Sequence, residues 1–255
     1  MPPTDNLFVQ SIAKAMAVLE ALGSRQEPLS LNELAERADM DRSTAQRIAH
    51  TLTLLGYLEK GPNGRGIVLG KKLLDRTFDF LNTTPLVERA TPILADLQRE
   101  TGERVDLSLF DDLSIIYALR RQSKRETFFA TLVGRRIPTY CSSGGRAVMS
   151  FLADERVDDI LDRSDLVAIT PKTVTDKKAI KQKVAEARQL NYSLCLEESI
   201  LGEIALGCAI LDADDVPIAA VHIAGSCSEW TADSFTQRFA PLAIEAARAL
   251  GRSRR

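Results

Sequence analysis

The stretch LSLNELAERADMDRSTAQRIAHTLTLLGYLEK, Leu29 to Lys60, decides the fold of the first part of the chain. Ser30 with Glu33 three positions on forms a capping box, in which each side chain satisfies a backbone N–H that the helix start leaves open. Leu31, Leu34, Ala35 and Ala38 then recur at helical spacing along one face of a short helix. Asp39 to Asp41 form a tight turn with apolar Met40 tucked beneath it. Asp41 is placed to cap a second helix whose inner stripe is Ala45, Ile48, Leu52 and Leu55. Gly56 ends that helix and Tyr57–Lys60 begins a strand. The strand returns as Arg65–Leu69 after Gly61-Pro-Asn-Gly64, residue types that a tight turn demands. Two short helices around a tight turn, followed by a hairpin, describe a winged helix-turn-helix.

Upstream, residues 7–23 read as an amphipathic helix with Ile12, Met16, Leu19 and Gly23 on one side and Lys14 and Glu20 on the other. Downstream, Leu69–Asn82 carries Leu73, Leu74, Thr77, Phe78 and Leu81 and reads as a linker helix, with Asn82-Thr-Thr-Pro85 as a boundary. Its apolar faces argue against a monomer. Beyond Pro85 the pattern is mixed. Helices are expected at Leu86–Arg99, Gly145–Leu152, Asp154–Leu161, Asp176–Leu190 and Asp233–Leu250. Strands are expected at Arg104–Phe110, Leu113–Arg120, around Thr127–Val133, and at Ser193–Glu197, Ile204–Leu211 and Ile218–Ala224. One sheet flanked by helices makes an α+β domain.

The 255 residues are 45% hydrophobic and 27% charged, enough for a real core in one large or two ordinary domains. No apolar run approaches the roughly 18 residues that cross a bilayer, and MPPTDNLF lacks a secretory pattern, so a cytoplasmic protein with no membrane partner is expected. The net charge of −2 does not advertise a nucleic-acid binder. Local charge matters more: between Arg42 and Arg65 the cations are Arg42, Arg47, Lys60 and Arg65, and Glu59 is the only acid.

With Asp41 as cap, Ser43, Gln46, Arg47 and His50 share one outward face, and Arg42 and Thr44 sit at its N-terminal end. Gln can pair with adenine and Arg with guanine through two hydrogen bonds in the major groove, while Ser and Thr more often hold phosphate. Arg65 on the wing can reach the backbone or minor groove. His50 fits a surface or packing role as well as a DNA contact. A helix-turn-helix used only for protein contacts would show no salt-dependent DNA affinity.

Catalysis finds no support. Ser11-Ile-Ala-Lys14 fits Ser-x-x-Lys, but no Lys-Thr-Gly partner, nucleophile elbow, Walker sequence or zinc-protease motif accompanies it. The two histidines, His50 and His222, fall in different domains. No cofactor or metal is called for. Cys141, Cys195, Cys208 and Cys227 form no Cys-x-x-Cys pair and read as buried thiols, though with His222 they leave open a redox or soft-metal sensor.

In order and spacing, the chain resembles the IclR (isocitrate-lyase-regulator) family of transcription factors. The resemblance runs from Phe8-Val-Gln-Ser-Ile12 through the helix-turn-helix to Gly134-Arg-Arg-Ile-Pro138 and Ser142-Ser-Gly-Gly-Arg-Ala147. It continues at Asn191-Tyr-Ser193, Glu197-Glu198, Gly202 and Ala219-Ala-Val-His-Ile-Ala-Gly225. It implies a winged helix-turn-helix DNA-binding domain over 1–69, a dimerising linker helix over 70–84 and a GAF-like effector-binding domain over 85–255. It further implies a dimer or tetramer on a palindromic operator in double-stranded DNA, more often repressing than activating catabolic genes, in response to a small organic acid or aromatic effector. The family's pocket falls on Phe129, Ile137, Ser143, Gly144, Cys195, Ala205, His222 and Ala224. Ser142-Ser-Gly-Gly145 precedes a helix, so backbone N–H groups there could receive an anion. Cys195, Ala205, His222 and Ala224 stand where members binding small keto-acids tend to place acidic, thiol and hydroxyl groups. That departure, with Phe129 and Ile137 as walls, favours a partly apolar or aromatic ligand.

Overall fold

The computed structural model describes residues 7–23, 27–123 and 133–251, and its contacts divide the chain into Met1–Thr83 and Thr84–Arg255. In the first unit, helix α1 (Gln10–Leu22) turns Val18 and Leu22 inward. Of the expected stripe, Leu19 packs against this unit's core, whereas Ile12 and Met16 are 57% and 50% exposed. Apolar residues stand nearly all round this helix, so periodicity alone does not choose between its two stripes.

Helix α2 (Leu31–Arg37) starts on the capping box, with Glu33 N–H donating to Ser30 Oγ and Ser30 N–H to Glu33 Oε2 at 2.8 Å. Asp39 takes the left-handed conformation, φ 48°, and Met40 N–H closes the turn on Ala35 C=O. Helix α3 (Arg42–Leu54) buries Ala45, Ala49 and Leu52. Leu55 is its half-exposed C-cap and does not belong to the inner stripe, because the helix ends one residue earlier. Strands β1 (Leu58–Lys60) and β2 (Ile67–Leu69) pair antiparallel with Glu59 opposite Val68, and Leu29 bridges to Ile67. Gly66 has φ +70° and lies where a Cβ would stand 2.6 Å from Pro28, so only glycine fits. Val18, Leu22, Leu29, Leu34, Ala38, Ala49, Leu52 and Leu58 make the core. Helix α4 (Lys72–Thr83) follows with no buried residue, and its Leu74 and Phe78 are exposed.

Among the described residues, the second unit is one six-stranded sheet with helices on both faces. Helix α5 (Pro85–Thr101) ends at left-handed Gly102 and leads into β3 (Arg104–Asp111) and β4 (Ser114–Arg121). Then come β5 (Arg136–Pro138), α6 (Ser143–Met149), α7 (Asp154–Arg163) and α8 (Lys177–Leu190). Strands β6 (Ser193–Leu196), β7 (Glu203–Leu211) and β8 (Pro217–Ser226) and helix α9 (Ala232–Leu250) complete the unit. The strand order is β5-β4-β3-β8-β7-β6, antiparallel throughout. The strand expected around Thr127–Val133 lies outside the described residues apart from Val133. The edge strand that the sequence did not announce, β5, has three residues, too few for a period-2 signal.

Alternation along β8 sorts the layers. Gly225 faces Trp230 and Phe235 on the α9 side, whereas Ala220 and His222 face Gly144 of α6. A second apolar cluster of Ile115, Tyr117, Ile137, Tyr140, Met149, Ile160 and Ile180 gathers β4, β5 and helices α6 to α8. Among the described residues, no helix is long and apolar enough to cross a membrane.

Candidate nucleic-acid interface and effector site

Asp41 organises the start of α3. Its carboxylate accepts Thr44 N–H at 2.9 Å, Thr44 O–H at 2.6 Å and Ser43 O–H at 2.6 Å. The bonds from Ser43 and Thr44 hold this carboxyl well below the usual carboxylate range. The two hydroxyl protons are therefore engaged by the cap, and a phosphate contact from Ser43 or Thr44 would have to draw on them. Arg42, Gln46, Arg47 and His50 stand exposed on the same helix, and Arg65 is exposed on the wing. Among the described residues, Arg42, Arg47 and Arg65 take part in no ion pair, so their guanidinium groups face solvent uncompensated.

In the second unit, strand register gathers the candidate effector residues. Cys195 lies opposite Ala205, Ala205 opposite Ala224, and Ala224 opposite Arg104, forming one row across β6, β7, β8 and β3. His222, two residues before Ala224, shares its face and sits between Gly207 and Asp106. Ser108 Oγ lies 2.7 Å from His222 Nε2, and Ser143 Oγ lies 3.3 Å from Nδ1. A Cβ on Gly144 would stand 2.3 Å from the imidazole Cε1, so the bare backbone of α6 presses on the ring. Gly145 N–H already donates to Ser142 Oγ at 3.1 Å, which occupies one of the groups expected to receive an anion. Ile137 is buried in the second apolar cluster beside Tyr117, whose ring centroid is 5.3 Å from that of His222. Phe129 lies outside the described residues.

Burial pushes the His222 imidazole down to about 4, with Arg104 and Arg120 also disfavouring its charge and Asp106 opposing them. It is therefore a neutral hydrogen-bonding group at pH 7. An unfolded chain takes up this proton near 6.5, so stability is full above that pH and is lost as pH falls toward 4. The loss through this one group is on the order of 3 kcal/mol. His222→Gln should accordingly flatten the decline between pH 6.5 and pH 4 measured by urea unfolding; parallel declines in both proteins would refute the assignment.

Sequence reading missed the charged network beside this row. Arg104 Nε donates to Asp106 Oδ2 at 3.0 Å, and Arg120 donates to both Asp106 oxygens at 2.7 and 3.0 Å. Arg104 Nη1 reaches Glu203 Oε2 at 2.6 Å. Its one signal was the alternation Arg104-Val-Asp106-Leu-Ser108, which ordinarily marks a strand with a solvated polar face; here that face is buried. Missed as well was the fully buried pair Arg146–Glu198, whose two bonds measure 2.5 and 2.7 Å.

Burial pushes the thiols of Cys141 and Cys208 up to about 12 and that of Cys195 up to about 11, and it also raises that of Cys227. Thiolates are the reactive and metal-binding form, so burial works against redox or metal chemistry at Cys141, Cys195 and Cys208, while Cys227 is only half-buried. Among the described residues, no group of three or more His, Cys, Asp or Glu side chains could hold a metal ion.

Residues 11–62 match the IclR helix-turn-helix domain, and residues 78–252 match the bacterial transcriptional regulator IclR C-terminal domain. The acetate operon repressor of Salmonella typhimurium is 30% identical over 232 residues, covering 90% of this chain and 84% of that protein. An IclR transcriptional regulator from Alicyclobacillus acidocaldarius superposes with a TM-score of 0.81 at 22% identity, over 95% of this chain and 98% of that one. An IclR homologue from Microbacterium hydrocarbonoxydans, crystallised with 4-hydroxybenzoate, gives 0.77 at 22% identity, over 94% and 97%. The likeness to these two structures bears on the fold, a helix-turn-helix followed by an α+β domain. The two family matches together span most of the chain, and the relatives are regulators, not enzymes. With a capped helix-turn-helix inside the first match and the sheet inside the second, the chain belongs to the IclR family of bacterial transcriptional regulators.

Proposed function

We propose that the chain is a ligand-responsive repressor of catabolic genes that binds a palindromic operator as a dimer or tetramer in the cytoplasm. The observation that carries this reading is the face of α3, where Arg42, Gln46, Arg47 and His50 stand exposed and, among the described residues, the two arginines take part in no ion pair. In it α3 enters the major groove, Ser43 and Thr44 border the phosphates, and Arg65 follows the backbone or minor groove. Residues 70–84 act as the dimerising linker. The exposed apolar residues Leu74 and Phe78 of α4 support that role, as do Ile12 and Met16 of α1, because a second copy would remove them from water. The proposed effector site is the row Cys195, Ala205 and Ala224 with His222, Ser142, Ser143 and Gly144, walled by Ile137. The Microbacterium hydrocarbonoxydans homologue with 4-hydroxybenzoate supports a small aromatic or organic acid as the ligand class.

The test is a gel-shift titration against the intergenic DNA upstream of the chain's own gene, at 50 and 200 mM salt. A binder that neutralises several phosphates should lose about 10³- to 10⁵-fold in affinity over that range, while retaining a preference over unrelated DNA. Binding with no preference for that DNA, or with no salt dependence, would reject the proposal in favour of a helix-turn-helix used for protein contacts.

A further inference from the structure

We infer that the effector carries a carboxylate that Arg104 receives, and that Glu203 competes with it for the same guanidinium edge; this rests on the effector-sensing reading of the domain. The row of small residues beginning at Cys195 ends on Arg104, since Ala224 is its neighbour in the register. Glu203 is two residues from Ala205 on β7, on the same face, yet β8 runs between its strand and that of Arg104. Strands are spaced about 4.8 Å apart, so the 2.6 Å contact closes over β8 near Ala224, where a short side chain leaves height above the sheet. A carboxylate thus already lies across the proposed pocket floor.

Burial runs in order along this network: Asp106 is 0% exposed, Arg120 5%, Arg104 6% and Glu203 14%. Asp106 is the fixed anchor. It accepts Nε–H of Arg104 and two N–H groups of Arg120, which sets the plane of the Arg104 guanidinium and aims Nη1 at the rim. Glu203 is the outermost member and begins its strand, so it is the one that can turn out to water. Desolvating two guanidinium groups and two carboxylates costs several kcal/mol per ion, and well-packed apolar residues would serve stability as well or better. An oriented arginine edge at the end of a row of small residues is suited to an acid with an apolar body. Exchange of one carboxylate for another at Nη1 leaves the buried charge balanced.

Acetate, benzoate and succinate, each beside its uncharged amide, are the probes for calorimetric titration of the full chain and of Glu203→Gln, which leaves the Asp106 anchor untouched. At least one of the three acids should bind Glu203→Gln tenfold or more tighter than wild type, its amide should show no such gain, and adding Arg104→Gln should abolish the gain. Equal affinity of that acid for wild type and Glu203→Gln, an equal gain for the amide, or no binding of any of the three acids to either protein would overturn the proposal. Operator binding is read separately by gel shift. If operator binding persists while the acids fail, the carboxylate seat falls and the regulator reading stands. If the protein shows no operator preference, the regulator reading falls independently of the titration.

Discussion

Arg146→Ala should destabilise the second unit by about 3–5 kcal/mol, the cost of breaking a buried ion pair from one side. Arg146 is 0% exposed and Glu198 3%. Beyond its two bonds to Glu198, the guanidinium donates from Nε to Tyr140 C=O at 2.7 Å. Glu198 Oε2 also accepts Val174 N–H at 3.0 Å, and Thr173 O–H donates to the Glu198 carbonyl at 2.6 Å. The pair therefore ties α6 to the segment before β7 and to the loop before α8. Truncation leaves a buried carboxylate without the guanidinium that neutralises it. For a unit of this size each kcal/mol moves Tm by about 2–4 °C, so calorimetry should show a fall of roughly 6–20 °C. The pair exchanged as a whole, Arg146→Met with Glu198→Met, should recover most of that loss, because packed apolar groups remove the desolvation cost. A single substitution costing under about 1 kcal/mol would show that Glu198 finds another partner.

Arg47→Ala should produce the largest functional loss among changes that leave the fold intact. Arg47 is exposed on α3 next to Gln46, one turn before His50, and its removal opens no cavity. A side chain that bonds a base edge through two hydrogen bonds is worth about 1–3 kcal/mol. The proposed dimer would apply two recognition helices to two half-sites, so about 2–6 kcal/mol is at stake, roughly a 30-fold to 10⁴-fold loss of operator affinity. Affinity for unrelated DNA should change far less, so the preference itself shrinks. Arg65→Ala on the wing should instead weaken both DNAs alike and reduce the salt dependence. An Arg47→Ala protein with uniform weakening would move Arg47 from the bases to the phosphates.

The sequence by itself determined the helix-turn-helix. Ser30 with Glu33, Asp41 with Ser43 and Thr44, left-handed Asp39 and the Gly61–Gly64 turn act between residues at most a few positions apart, and such bonds form wherever the chain curls locally. Most elements of the sheet domain were legible for the same reason, through their alternation and stop residues. Tertiary structure alone decided the rest. It selected Val18 and Leu22 over Ile12 and Met16 as the inner face of α1, ended α3 before Leu55, and placed three-residue β5 on the edge of the sheet. It also turned the polar side of β3 into the core and brought Arg146 to Glu198 across 52 residues. Local hydrogen bonds are written in neighbouring residues. The face of a strand or helix that escapes water is set by whatever packs against it, and that partner can come from anywhere in the chain.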